Sequence, residues 1–94
     1  MNEIIFFIED LEYQFRCQWT HAEYPQVGDS IAMLHVCSTE QEEIFKEMSL
    51  PKHLRDYKVN NAFDYLDYCG CDVTCRAWGG RNTSELTIFC KRRN

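Results

Sequence analysis

Ten residues near the start of the chain alternate without a break. Leu11, Tyr13, Phe15, Cys17 and Trp19 are apolar, and Glu12, Gln14, Arg16, Gln18 and Thr20 between them are polar. In an extended chain successive side chains point to opposite faces, so a period of two defines a strand with one dry face and one wet face. Such a strand needs sheet neighbours and a layer to cover its apolar side. The run just before it, Ile4-Ile5-Phe6-Phe7-Ile8, is apolar at every position. That composition and length suit a strand buried on both faces, paired with the first through the Glu9-Asp10 punctuation as a hairpin.

The same periodicity returns further on. Ser30–Cys37 reads as a third strand, with Ile31, Met33, His35 and Cys37 on one face and Ala32, Leu34 and Val36 on the other. Cys71, Val73, Cys75 and Ala77 alternate with Asp72, Thr74, Arg76 and Trp78, and Leu86, Ile88 and Cys90 with Thr87, Phe89 and Lys91. With Gly79-Gly80-Arg81-Asn82 as the turn, these two runs form a C-terminal hairpin. Between the strand groups the period changes. Ser38 or Thr39 can cap a helix, with acidic residues in its first turn, an apolar stripe of Ile44, Phe45 and Met48, and Pro51 soon after its end. Leu50–Tyr57 suits a further helical turn opened by Pro51, and Asn60-Asn61 a break; in residues 62–69, Ala62, Phe63, Leu66 and Cys69 fit the stripe of a short helix stopped by Gly70, while Phe63 and Tyr65 alternating with Asp64 fit a strand equally well.

The expected fold is therefore α+β and mainly β. It is a single domain over residues 1–94, a small five-stranded antiparallel bent sheet or a partly open barrel of SH3-like or OB-like kind, with a helical insert at about 38–69. A chain of 94 residues is too short for two domains. Its 45% hydrophobic content supports a core but contains no apolar run approaching a membrane span. Met1-Asn2-Glu3 carries neither a basic stretch nor a small-residue cleavage site, so the expected address is cytoplasmic.

The segment Trp19-Thr-His-Ala-Glu-Tyr-Pro-Gln-Val-Gly-Asp-Ser-Ile31, followed by Val73-Thr-Cys-Arg-Ala-Trp78 and Glu85-Leu-Thr-Ile-Phe89, resembles small bacterial β-barrel proteins. In these a strand leads into a Pro-x-Val-Gly-Asp-x-Ile corner and the chain closes with a hairpin. The resemblance covers the strands and not residues 38–70. It implies fold geometry, and it carries no catalytic residues with it.

The candidate chemistry is sparse. Cys69, Cys71 and Cys75 place three thiols within seven residues and can supply three ligands to zinc, with His35, His53 or another cysteine as the fourth. The spacing differs from the usual paired ligand patterns, and strand alternation puts Cys71 and Cys75 on one face as core filling. Cys17, Cys37, His21 and His35 hold the ingredients of a nucleophile and base, without any sequence signal that they meet. Asp64 and Asp67 read as the wet side of an amphipathic element. Gly79-Gly80 lacks the lysine and helix of a phosphate loop, and Asn82-Thr83-Ser84 matches a glycosylation sequon that is idle in the cytoplasm.

The aromatic residues say more. Trp78 and Arg76 on the final hairpin, with Tyr65 and Tyr68 in the insert, are the types found at protein-binding hot spots. Aromatic platforms also serve single-stranded nucleic acid, but the net charge of −5 disfavours phosphate binding. The charge is uneven: residues 1–75 hold 5 Lys/Arg and 14 Asp/Glu, residues 76–94 hold 5 and 1. The leading expectation is a non-enzymatic interaction or accessory module that binds a protein or itself, without cofactor. A metal- or thiol-dependent protein built on Cys69, Cys71 and Cys75 is the second reading, and an acidic mimic of nucleic acid that binds a basic protein is the third.

Overall fold

The structure, a computed structural model, describes residues 2–55, 59–68, 70–79 and 85–92. Strand β1 (Asn2–Ile8) and strand β2 (Tyr13–Trp19) form the expected antiparallel hairpin, joined by a 3-10 turn at Glu9–Leu11 in which Glu12 takes a left-handed conformation (φ 50°). Strand β3 (Ser30–Ile31) is followed by helix α1 (Met33–Val36), helix α2 (Thr39–Glu47), a 3-10 turn at Lys52–Leu54 and helix α3 (Ala62–Tyr68). Strands β4 (Cys71–Gly79) and β5 (Glu85–Arg92) close the chain as an antiparallel hairpin. The turn residues 80–84, with the sequon at Asn82, lie outside the described residues.

The five strands make one curled sheet, a half-barrel, in the order β2-β1-β5-β4-β3. The expected bent sheet with a helical insert is what forms, with one difference in its wiring: β1 and β5 run parallel at its centre, Ile4 opposite Leu86 and Ile8 opposite Cys90. Local alternation is blind to strand direction, and this pairing joins residues more than eighty positions apart. The loop over residues 20–29 carries the chain from β2 at one edge of the sheet to β3 at the other, and the helices then connect β3 to its antiparallel neighbour β4.

One sheet face is dry. Ile4, Phe6 and Ile8 of β1, Phe15, Cys17 and Trp19 of β2, Leu86, Ile88 and Cys90 of β5 and Cys71 and Val73 of β4 are all buried there. Met33, Phe45, Ala62, Tyr65 and Leu66 cover them from the helices, with Leu50 and Val59 from the connections. Aromatic rings join the layers, with Phe6 against Phe15 at 5.7 Å and Phe15 against Phe45 at 5.5 Å.

The third strand is much shorter than its sequence suggests. Only Ser30–Ile31 pairs with β4, extended by hydrogen bonds from the Gly28 amide to the Val73 carbonyl (2.9 Å) and from the Val73 amide to the Asp29 carbonyl (2.8 Å). Met33–Val36 is helical instead, and Met33 and Leu34 line the helical layer while His35 faces solvent. A run that is apolar on both faces does not distinguish strand from buried helix.

Helix α2 starts where its cap places it. The Ser38 hydroxyl accepts from the Gln41 amide at 3.1 Å, satisfying one of the free N–H groups of the first turn. Ser38→Ala is expected to cost about 1 kcal/mol, measured as a lowered urea midpoint with unchanged slope. Asn61, expected only as a break, has a capping role for α3: its side-chain carbonyl accepts from the Asp64 amide at 2.8 Å.

Candidate interaction surface

The register of β4 and β5 slips between Val73 and Cys75, where Thr74 forms a bulge. A bulge inserts one residue and reverses the facing of everything beyond it. Cys71 and Val73 therefore point into the core, whereas Cys75, opposite Phe89, and Ala77, opposite Thr87, lie on the open sheet face. This corrects the single cysteine face expected from strict alternation. Cys71 is 1% exposed and Cys75 is exposed on the other side of the sheet, so the two do not converge on one ion. Cys69 lies outside the described residues. Among the described residues, no three His, Cys, Asp or Glu side chains group as metal ligands.

Beyond the bulge, Arg76 and Trp78 sit on the helical side of the sheet, opposite Ile88 and Leu86. The helical layer does not cover Trp78, whose side stays 52% exposed. The loop from β2 to β3 supplies its neighbours. Tyr24 packs edge-on against the indole, 5.9 Å between centroids and 85° between planes. An Arg76 guanidinium nitrogen donates to Gln26 Oε1 at 2.6 Å. Val27, at the tip, is 62% exposed.

The loop is held firmly although it carries little secondary structure. The Asp29 carboxylate accepts from the Gln26 amide at 2.8 Å and the Asp29 amide donates to the Gln26 carbonyl at 3.0 Å. Gly28 closes the turn at φ +97°, a conformation that disfavours any side chain. Pro25 is buried, and the Trp19 indole N–H donates to the Glu23 carbonyl at 2.9 Å. The Pro-x-Val-Gly-Asp-x-Ile corner thus locks onto the bulged strand and presents Tyr24 and Val27 beside Trp78 and Arg76.

Of the four residues expected at a binding surface, the structure brings two together. Tyr65 is 1% exposed and packs in the core, which removes its ring from any surface. Tyr68 is 69% exposed but ends α3, just before the first residue of β4, whereas Trp78 is near the last. Seven residue steps along the strand separate Cys71 from Trp78, roughly 23 Å. Tyr24, Gln26 and Val27 belong to the surface and were missed, because the loop composition signalled only a turn.

A surface depression of about 460 Å³ lies between Glu9, Asp10, Glu12, Pro51 and His53. Two of its three acids have structural work: Glu9 accepts from the Thr74 hydroxyl at 2.7 Å and Asp10 from the Arg92 amide at 2.7 Å. Among the described residues no helix is long and apolar enough to cross a membrane. The chain matches no family model, no curated protein and no solved structure.

Proposed function

We propose that the chain is a non-enzymatic protein-interaction module whose contact residue is Trp78. The observation that carries this reading is a half-exposed indole braced by Tyr24 and by the Arg76–Gln26 contact on a rigid loop. A tryptophan left in water costs free energy that burial against a partner recovers, and a preorganised patch loses little conformational freedom on binding. The neighbouring Arg76 suits a partner surface that combines an apolar pocket with a hydrogen-bond acceptor, the usual surroundings of an interface hot spot.

Trp78→Ala is expected to reduce partner capture, or self-association seen in native mass spectrometry, at least tenfold. Its unfolding midpoint should stay close to that of the parent, because the ring is half in solvent already. Equal capture by parent and variant would refute the assignment, as would a parent protein that is strictly monomeric and retains no partner.

A further inference from the structure

Cys17 and Cys37 come from different elements, β2 and the residue joining α1 to α2, yet they line one surface depression of about 340 Å³ together with Glu3, Arg16, Val36 and Ser38. The Cys17 thiol donates to the Val36 carbonyl at 3.3 Å, and that carbonyl belongs to the peptide leading into Cys37. A carbonyl oxygen lies about 2.8 Å from the next Cα, which bounds the distance from the Cys17 sulfur to the Cys37 Cα at roughly 6 Å. The Cys37 sulfur lies about 2.8 Å from that Cα, so turned toward Cys17 it would stand roughly 3.3 Å or less from the other sulfur, and a further shift of about 1 Å closes the bond.

We propose that Cys17 and Cys37 form a modification site for low-molecular-weight disulfides, at which the pair is reversibly oxidised to an internal disulfide that ties β2 to the α1–α2 junction. Cys37, half-buried, is the entry point; Cys17, 7% exposed, is the resolving thiol. The Cys37 thiolate attacks one sulfur of the oxidant, forming a mixed disulfide and releasing one thiolate. The Cys17 thiolate then attacks the Cys37 sulfur and releases the second. The protein loses two electrons and two protons, and the oxidant leaves as two thiols.

The surroundings make this exchange slow at neutral pH. Burial raises both thiols above their ordinary range, helped by Glu3 beside Cys17 and by Glu42 and Cys17 beside Cys37. Arg16, the cation lining the depression, is already paired with Glu3 and Glu85. The reaction is therefore expected to quicken about tenfold per pH unit across the neutral range, as the thiolate population grows.

The test uses the full chain carrying Cys75→Ser, which removes the exposed thiol of the open sheet face, with glutathione disulfide as probe. The expected product has lost two hydrogen atoms from its intact mass, and peptide mapping joins Cys17 to Cys37. Closing this loop should raise the thermal midpoint by roughly 10 °C, reversibly with reductant. Adding Cys37→Ala should abolish the loss of hydrogen. A stable glutathione adduct without an internal bond, a bridge that maps to another pair, or an unchanged product in the Cys37→Ala chain would each overturn the proposal.

Discussion

Phe45→Ala is expected to unfold a large share of the molecules at physiological temperature, with a loss of about 3–5 kcal/mol. The total stability of a chain this size is on the order of 5–14 kcal/mol, so one ring accounts for much of it. Phe45 is fully buried and meets Tyr13 at 5.6 Å and Phe15 at 5.5 Å, both edge-on. Phe15 stacks on Phe6, and Phe6 meets Trp19 at 6.1 Å, so the cluster runs from α2 across β2 to the central strand. Helix α2 has nine residues, too few to hold its shape without tertiary contacts. Removing the ring leaves a cavity and frees the helix at the same time. Urea denaturation followed by circular dichroism gives the number, and Ile44→Ala is the control. Ile44 is the neighbouring residue on the same helix but 46% exposed, and its loss should cost about 0.5 kcal/mol or less. If the two variants lose equal stability, α2 does not pack through Phe45.

That contrast between adjacent residues also shows what was legible in the sequence. Where polar and apolar residues alternate, as from Tyr13 to Trp19, the structure follows the pattern residue by residue: Phe15, Cys17 and Trp19 are buried, and Gln14, Arg16 and Gln18 are exposed. Ser38 gave away the start of α2, because a cap is a local interaction with a local signature. Three features escaped for one common reason, which is that they depend on residues far apart in the chain. The parallel β1–β5 pair leaves no trace in either strand taken alone. The Met33–Val36 helix forms where β4 stops offering a partner to β3, and its own residues suit either state. The bulge at Thr74 sorts Cys71 from Cys75, and no residue within Cys71–Ala77 announces it.

The candidate surface follows the same division. Alternation places Trp78 on the polar side of its strand with Thr74 and Arg76; the bulge turns it to the helical side instead, where it is exposed because the helices do not reach it. Tyr24 and Gln26, fifty or more positions away, join it only through the fold. Cys17 and Cys37 are likewise unremarkable apart and adjacent in space. Of the described thiols, the fold buries Cys17, Cys71 and Cys90, leaves Cys37 half-buried and turns Cys75 to solvent.

Alkaline pH should destabilise the protein through Cys90. This thiol is fully buried in β5, and its pKa is pushed from 9.0 up to about 12 by burial first, then by Cys71, Glu9 and Asp72. The folded state therefore holds its proton through a range in which the unfolded chain has released it. Stability from the neutral thiol is fully present below about pH 9 and falls as pH rises toward 12. The slope is about 1.4 kcal/mol per pH unit, reaching on the order of 4 kcal/mol. Cys17 and Cys37, raised in the same direction, steepen the decline in the parent protein. Cys90→Ala removes one titrating group and leaves the other two. At neutral pH the variant should be the less stable protein, since it has lost a well-packed sulfur. Above pH 9 the two stability curves should converge, by about 2 kcal/mol at pH 10.5, because only the parent carries the buried Cys90 proton. Urea denaturation at half-unit steps from pH 7 to pH 10.5 resolves this. Parallel curves would mean that Cys90 ionises as readily in the folded protein as in the unfolded chain, and that the centre of the sheet is open to water.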